Sequence, residues 1–285
     1  MIWQELSIQA PGEFVEPISY LFGKYGHGLS VEDLGGGQVM MRSYLPNTSR
    51  RRRARIEVGI NLVRRLRPMG ELQVADLKDS DWETAWKAHF GILRAGSRLV
   101  IKPSWLEYEP RGEDVVIELD PGMAFGTGHH PTTNMCLQAL ERRLSPGDTV
   151  LDLGAGSGIL SMAAARLGAA SVVALDIDAT AVKASRKNLK AGGLPQVHSA
   201  RGTLPHRLAP PAHFDLATAN ISSKTVQEMA GPLWDVLKPE GTLIASGIVQ
   251  RQEEEARSAV TGAGFRHLET ILVDDWVTLL FSRGE

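Results

Sequence analysis

One segment constrains the fold more than any other: Val150–Leu160, which reads Val-Leu-Asp-Leu-Gly-Ala-Gly-Ser-Gly-Ile-Leu. The residues Thr149–Leu153 are mostly apolar and hardly alternate, which is typical of a strand covered on both faces. Three glycines at alternate positions, Gly154, Gly156 and Gly158, let the backbone turn tightly and approach a ligand. The helix expected next has free N–H groups and a partial positive charge at its start. The segment therefore predicts a strand, a turn and a helix, with an anionic group bound at the turn.

The glycine turn fits one class of ligand better than three others. A dinucleotide fingerprint needs a glycine where Ile159 stands, a P-loop needs a lysine after Gly158, and a hydrolase elbow needs glycines two residues on either side of Ser157. What remains is an Asp-x-Gly-x-Gly-x-Gly pattern that begins at Asp152. It resembles the first motif of the S-adenosylmethionine (AdoMet) methyltransferases. AdoMet carries a carboxylate beside an ammonium and a sulfonium cation, and an acid followed by a glycine turn suits these mixed charges. A purely structural corner is the alternative.

A second acid favours the cofactor interpretation. The apolar segment Ser171–Asp176 reads as another strand, it follows one helix, and it ends in a carboxylate. An acid at the tip of the second strand of a βαβ unit can accept hydrogen bonds from both ribose hydroxyls of a nucleoside. Asp178 is a nearby competitor, although it also suits the N-cap of a helix over Thr180–Leu189.

Composition excludes several classes of protein. The chain has 285 residues, enough for two domains, and a formal charge of −2, which argues against a broadly basic nucleic-acid binder but not against a local basic patch. Its one cysteine, Cys136, excludes an internal disulfide and a multi-cysteine zinc site, and its apolar surroundings predict a core position. The pair His129 and His130 has no third ligand at a suitable spacing, so no metal is predicted. No apolar run of membrane-spanning length and no secretory signal is evident, so a cytoplasmic location without membrane contact is expected.

The first 80 residues predict a small domain of their own. Strand and helix patterns follow the order β-α-β-β-α-β, which is typical of a ferredoxin-like α+β fold. The second helix, Arg50–Leu66, begins in a run of arginines, which is either a solvated face or a docking surface for an acidic or RNA-bearing partner. A linker with a short aromatic helix is expected over 81–100.

The remainder, 101–285, predicts an α/β domain with a seven-stranded, Rossmann-like sheet. Thr132 or Thr133 is expected to cap the helix Asn134–Leu144, and a loop is expected over Gly192–Leu204. Phe214–Asn220 reads as a strand that ends in an asparagine. Two final strands lie close enough in sequence to form an antiparallel pair, which is typical of the methyltransferase sheet.

Longer strings carry a more specific resemblance. The loop Leu119–Thr133, which contains Phe-Gly-Thr-Gly-His-His-Pro-Thr-Thr, the glycine motif and Ala219-Asn220-Ile221 are similar to the bacterial ribosomal protein L11 methyltransferase family, as are Trp82–Phe90 and Pro103–Trp105. The resemblance covers about residues 80 to 285, and the small domain agrees in layout only. It implies AdoMet-dependent methylation of amines on a large-subunit ribosomal protein: lysine side chains and, in some members, the N-terminal α-amine. It implies no membrane partner and no nucleic acid as the substrate itself.

The resemblance also implies a set of site residues. The expected cofactor contacts are Thr133, Gly154, Asp176 and Asn220, and the first motif adds Asp152 and Gly156. Phe125 and Thr127 are expected in a loop that covers the cofactor. Asn220 is in addition the catalytic candidate, because its oxygen can orient the substrate amine. Other amine methyltransferases carry Asn-Pro-Pro-Tyr at this point, whereas Ile221-Ser222-Ser223 follows here, so the aromatic residue of that motif is absent.

Two other functions stay open at this point. A lysine methyltransferase of the same family acting on another protein, such as an electron-transfer flavoprotein, would share the larger domain and differ in the small one. A nucleotide-binding module without catalysis would keep only the glycine turn and the acid. The sequence leaves the modified positions, the number of methyl groups and the oligomeric state undetermined.

Overall fold

A computed structural model describes residues 3–77, 91–120, 128 and 130–284. The described chain falls into two compact units, residues 3–77 with residue 91, and residues 92–120, 128 and 130–284, and each is described by itself. The aromatic helix expected within 81–90 lies outside the described residues, and so do Phe125, Thr127 and His129. The predicted boundaries at residues 80 and 100 stay predictions. Residues 93–102, of which all but the last two fall in the predicted linker, contribute two strands to the second unit.

The smaller unit has the predicted β-α-β-β-α-β order. Its elements are β1 (Trp3–Pro11), a 3-10 turn (Gly12–Phe14), α1 (Val15–Tyr25), β2 (His27–Gly35), β3 (Gln38–Pro46), α2 (Arg50–Arg64) and β4 (Gln73–Leu77). The antiparallel sheet has the strand order β2-β3-β1-β4, so the chain's first strand lies in its interior. The ferredoxin-like prediction is confirmed.

Alternation and helical spacing explain how this unit closes. Leu6 and Ile8 of β1 face the helices and are at most 1% exposed. Helix α2 buries Ile56 and Ile60 against the same core. Four-residue spacing places both on one helix face, so the core accounts for one side of α2 only.

The larger unit alternates strands and helices. Its strands are β5 (Leu93–Ala95), β6 (Leu99–Lys102), β7 (Val115–Glu118), β8 (Thr149–Leu153), β9 (Ser171–Asp176), β10 (Val197–Arg201), β11 (Phe214–Asn220), β12 (Leu237–Val249), β13 (Phe265–Val273) and β14 (Trp276–Arg283). Its helices are α3 (Pro131–Arg143), α4 (Ile159–Arg166), α5 (Ala179–Ala191), α6 (Ser223–Val236) and α7 (Glu253–Gly262), with a 3-10 turn at Gln250–Gln252.

Seven of these strands form one sheet, as predicted, and its strand order is β10-β9-β8-β11-β12-β14-β13. The first five strands in this order are parallel, whereas β14 pairs antiparallel with both β12 and β13. The chain's order reverses between β8 and β11, and open α/β sheets bind ligands at such a switch point, outside the carboxyl ends of the strands. Strands β5, β6 and β7 form a separate three-stranded sheet.

Two local predictions were wrong. The expected loop Gly192–Leu204 contains the edge strand β10, whose exposed polar residues hide the apolar pattern of a strand. Helix α3 begins at Pro131 because proline suits the first helical position, and its cap is His130 rather than a threonine.

In the described part of the chain, none of the helices is both long and apolar enough to cross a lipid bilayer.

Candidate cofactor and active site

The polar candidates gather at the carboxyl ends of three adjacent strands. Leu153 at the end of β8 pairs with Leu175 of β9 on one side and with Ala219 of β11 on the other. Asp176 and Asn220 each come one residue later in their strands. The parallel register thus brings the glycine turn, the second acid and the asparagine to one edge of the sheet, as the sequence predicts.

The glycine turn depends on backbone angles that other residues rarely adopt. Gly154, Gly156 and Gly158 have φ values of 80°, 55° and 85°. A Cβ atom at Gly154 would lie 2.2 Å from Cγ2 of Ile221, so the turn also needs the space. Gly158 is the residue at which α4 begins, and the turn therefore joins β8 directly to the start of that helix.

Asp152 lies inside the protein and is bonded to its own chain. It is 1% exposed, its Oδ2 accepts from the Ser161 amide at 3.1 Å and hydroxyl at 2.6 Å, and its Oδ1 accepts from the Thr218 hydroxyl at 2.8 Å. Burial raises the pKa of the Asp152 carboxyl, while these hydrogen bonds oppose the rise. Ser161 is in the first turn of α4, so a carboxylate of this chain occupies part of the anion-binding helix end. A direct contact between Asp152 and a cofactor stays a prediction.

Asp176 is placed differently. Its Oδ2 accepts the Gly156 amide at 2.9 Å, its Oδ1 accepts the Asp178 amide at 2.8 Å, and the residue is only partly buried. Two backbone donors fix the carboxylate, and each oxygen keeps a lone pair for a further donor. The Asp178 side chain caps α5 by accepting from the Thr180 amide at 2.8 Å, which confirms the capping interpretation of that residue.

Asn220 is held by the helix that follows the proposed covering loop. Its Nδ2 donates to Oγ1 of Thr133 at 3.3 Å, and Thr133 is completely buried in the first turn of α3. Its Oδ1 is buried and has no hydrogen-bond partner among the described residues. A buried carbonyl oxygen without a donor costs free energy unless a ligand supplies one. The structure thus brings Thr133 and Asn220 together and leaves one acceptor for a donor.

Two aromatic residues near this edge were missed as a pair by the sequence reasoning. The imidazole of His130 caps α3, with its Nδ1 2.7 Å from the Thr132 hydroxyl, and it meets the Trp276 ring edge-on at 4.8 Å between centroids. Burial lowers the pKa of His130 to about 4. A histidine directly before Pro-Thr-Thr is a recognisable cap position, but no signal in the sequence brings Trp276 to it.

Two glycines, Gly154 and Gly247, pack closely against Ile221, the residue after Asn220. A Cβ at Gly247 would lie 2.1 Å from the carbonyl oxygen of Ile221, just as one at Gly154 would meet the side chain of that residue. The next residue, Ser222, caps α6 by accepting from the Thr225 amide at 3.4 Å. Where other amine methyltransferases carry Pro-Pro-Tyr after the asparagine, this chain therefore uses Ile221 to pack the glycine turn and Ser222 to begin α6.

The described groups fit AdoMet chemically. A fixed carboxylate suits ribose hydroxyls, a glycine turn with positive φ leaves space for close approach, and a buried amide oxygen suits an amine donor. The predicted contacts Phe125 and Thr127 lie outside the described residues. Within the described ranges, no three His, Cys, Asp or Glu side chains come together as a metal site requires. Cys136 is fully buried, as predicted.

Comparison with known proteins points to one family. The family model described as Ribosomal protein L11 methyltransferase (PrmA) matches residues 2–284. Proteins named ribosomal protein L11 methyltransferase from Chloroflexus aurantiacus and Geobacillus kaustophilus are 39% and 36% identical, over 99% and 98% of this chain and 98% and 99% of their own. A crystal structure of the ribosomal protein L11 methylase from Lactobacillus delbrueckii subsp. bulgaricus has a TM-score of 0.64 and 32% identity, covering 69% of this chain and all of that one.

Proposed function

Because the chain belongs to the ribosomal protein L11 methyltransferase family, we propose that it transfers methyl groups from AdoMet to amine nitrogens of that ribosomal protein. The amines are lysine side chains and, where it is accessible, the N-terminal α-amine. The family match extends through the small unit, which favours the ribosomal substrate over another protein and favours an enzyme over a binding module.

One observation carries the proposal to the level of chemistry: Oδ1 of Asn220 is buried without a partner while Nδ2 of the same amide is held by Thr133. An amine nitrogen that donates one N–H to this oxygen has its lone pair directed away from it. A free lysine amine has a pKa near ~10.4 and is mostly protonated at neutral pH. A site that is short of solvent favours the neutral form, and an acceptor that does not titrate orients that form without stabilising the charge.

The cofactor would be held by the same edge of the sheet. In this proposal Asp176 accepts from the ribose hydroxyls, Gly154 and Gly156 leave room for the amino-acid part, and Phe125 and Thr127 belong to a loop that covers it. When bound, AdoMet supplies a methyl group made electrophilic by its sulfonium. Asp152 would act indirectly, because its bonds to Ser161 and Thr218 hold β8, α4 and β11 in register beneath the turn.

The small unit is proposed to hold the protein substrate. The face of α2 that its own core leaves uncovered exposes 60% of Val58 and 58% of Leu62, and Leu66 just after the helix is 78% exposed. These side chains are four residues apart and lie among arginines such as Arg51 and Arg65. Exposed apolar anchors with arginine at the rim are typical of a protein-binding surface.

Mass spectrometry of purified ribosomal protein L11 tests the proposal directly. Incubation with the enzyme and AdoMet should raise the mass by whole methyl increments, and fragmentation should place them on amines. The Asn220→Ala variant is the matched control, because its rate of transfer should fall far more than any weakening of its AdoMet binding explains. An unmodified L11 under conditions in which AdoMet binding is saturated would overturn the proposed substrate.

The role of α2 has its own test. Replacing Val58, Leu62 and Leu66 by serine should raise KM for intact L11 and leave the affinity for AdoMet unchanged. Replacing the β13 residues Leu268, Leu272 and Val273, which are 38%, 48% and 40% exposed, by serine removes exposed apolar surface elsewhere and serves as the control. Equal KM values for the α2 variant and the control would contradict substrate docking on α2.

A further inference from the structure

The edge strand β10, the helix α5 before it and the segment after it carry a concentration of positive charge. Residues 179–208 contain six lysines and arginines and not one aspartate or glutamate, although the whole chain has a formal charge of −2. All six are exposed: Lys183, Arg186, Lys187, Lys190, Arg201 and Arg207. None of them forms an ion pair with a described acidic side chain. Such a segment produces a local positive potential that overall composition conceals.

Three of the six cations, Arg186, Lys190 and Arg207, line a concave surface. A groove of about 660 Å³ runs along the edge strand β10, between α5 and the segment that follows the strand. Arg186 and Lys190 of α5 line one wall, and Arg207 lines the other, with His198 of β10 between them. Spacings of three and four residues place Lys183, Lys187 and Lys190 along one side of α5. The groove thus has cations on both walls.

The side chain of Arg186 prevents a further strand from pairing with the edge strand β10. Arg186 donates through Nε at 3.1 Å and through Nη2 at 2.8 Å to the carbonyl oxygen of Ser199, a group in the middle of β10. An added peptide strand would need that oxygen as an acceptor. The groove therefore does not suit a partner that extends the sheet.

The surface has few of the apolar groups with which a protein partner is held. Ile177, just before the segment, is 70% exposed, but no large apolar side chain between residues 179 and 208 is, whereas α2 exposes Val58 and Leu62 among its arginines. A protein interface depends on buried apolar or aromatic anchors, while a phosphodiester backbone needs only well-placed cations. The exposed imidazole of His198 is the one aromatic ring in the groove lining, so stacking of bases there is limited to that residue.

From these observations we infer that α5, β10 and the segment to Leu208 form a docking surface, called here the β10 groove, for the phosphate backbone of RNA. Binding there is independent of base sequence and decreases steeply with salt. The β10 groove lies three strands from β11, so RNA binding and the reaction at Asn220 are separable.

Fluorescence anisotropy with a labelled single-stranded polyuridylate tests the inference on the full chain. The variant Lys183→Glu/Lys187→Glu/Lys190→Glu should bind at least tenfold more weakly at low salt. The plot of log affinity against log salt should lose about 2 units of slope, since each phosphate contact on a single strand contributes about 0.7. The matched control, Lys24→Glu/Arg111→Glu/Arg266→Glu, makes the same change of charge at exposed positions outside both proposed docking surfaces and should bind RNA like the parent.

Two further arms make the result decisive. The variant with glutamine at the three lysines removes charge without reversing it, and calorimetric titration with AdoMet verifies that each variant is folded. Polyglutamate of equal total charge should displace the RNA poorly. The inference is overturned if the parent does not bind RNA at low salt, if both lysine variants keep its affinity and salt slope, if the arginine control loses binding instead, or if polyglutamate competes equally.

Discussion

Asp152 and Asp176 stand near the ends of adjacent parallel strands and carry the same carboxyl group, yet the structure uses them in opposite ways. Asp152 is buried beneath the glycine turn, and its three hydrogen bonds join β8, α4 and β11. Asp176 lies at the rim, where two backbone amides fix it and the remaining lone pairs are available. The difference shows that an acid in a motif can serve the architecture of a site, while the acid of the next strand keeps acceptor capacity for a ligand.

The loss of the Asp152 carboxyl should have the greatest effect of all, and it should act on the stability of the fold. Asp152→Ala leaves the Ser161 amide and two hydroxyls without their acceptor in a buried position, and we expect the free energy of unfolding to fall by roughly 3–5 kcal/mol. Urea denaturation followed by circular dichroism measures it. A loss below about 1 kcal/mol would show that the three hydrogen bonds contribute little and would contradict the structural role of Asp152.

Next comes the affinity for AdoMet. Asp176→Ala removes a charge-assisted acceptor worth roughly 1.5–3 kcal/mol, so the dissociation constant measured by calorimetry should rise about 10- to 150-fold. Asp178→Ala is the matched control, because it removes a nearby carboxyl that caps α5. That control should cost about 1 kcal/mol of stability and leave AdoMet affinity unchanged. If Asp178→Ala weakens AdoMet binding and Asp176→Ala does not, the ribose role belongs to Asp178.

A smaller effect concerns a third strand end. Asn220→Asp keeps the size of the side chain but adds a negative charge beside the amine, which favours ammonium over neutral amine. The pH–rate profile should shift to higher pH by roughly one unit, which corresponds to roughly 1 kcal/mol of added interaction with the charged amine. Steady-state methylation of L11 across pH measures it. A variant profile that overlies the parental one, with equal turnover, would contradict the orientation of the amine by Asn220.

The smallest effect concerns the pH dependence of stability that the Asp152 carboxyl contributes. Because burial raises the pKa of Asp152 in the folded state, the native protein binds more protons than the unfolded chain between the ordinary carboxyl pKa near ~4 and the raised value. The free energy of unfolding should therefore decrease as pH rises through that window, by at most roughly 1.4 kcal/mol per pH unit from this group. Asp152→Asn should lack this contribution. Identical pH dependence of denaturation midpoints in parent and variant would show that the Asp152 pKa is not raised.

Much of the fold was predictable because local patterns and packing agree in it. The buried strand at Val150, the acid ending β9 and the asparagine ending β11 each follow from short segments whose chemistry is plain in sequence. Parallel pairing then requires that they meet at one edge. The order of the small unit was equally readable, since Ile56 and Ile60 recur with helical spacing.

The rest depended on contacts between distant residues. Strand β10 was missed because His198 and Arg201 face solvent at the sheet edge, and with it the β10 groove. The cap of α3 was assigned to a threonine because the sequence does not show that His130 packs on Trp276, about 145 residues away along the chain. The internal bonding of Asp152 was also hidden, since Thr218 approaches it only through the pairing of β8 with β11.

The position of β14 has a consequence for how the protein is made. This strand is synthesised after β13 but lies between β12 and β13, and seven of its eight residues are buried. A nascent chain that has emerged only as far as β13 therefore carries an open edge on β12 and a strand without its neighbour. Such edges are templates for incorrect pairing. Cotranslational folding can complete the parallel half of the sheet in order, but the antiparallel half closes in a single late step when residues 276–283 arrive.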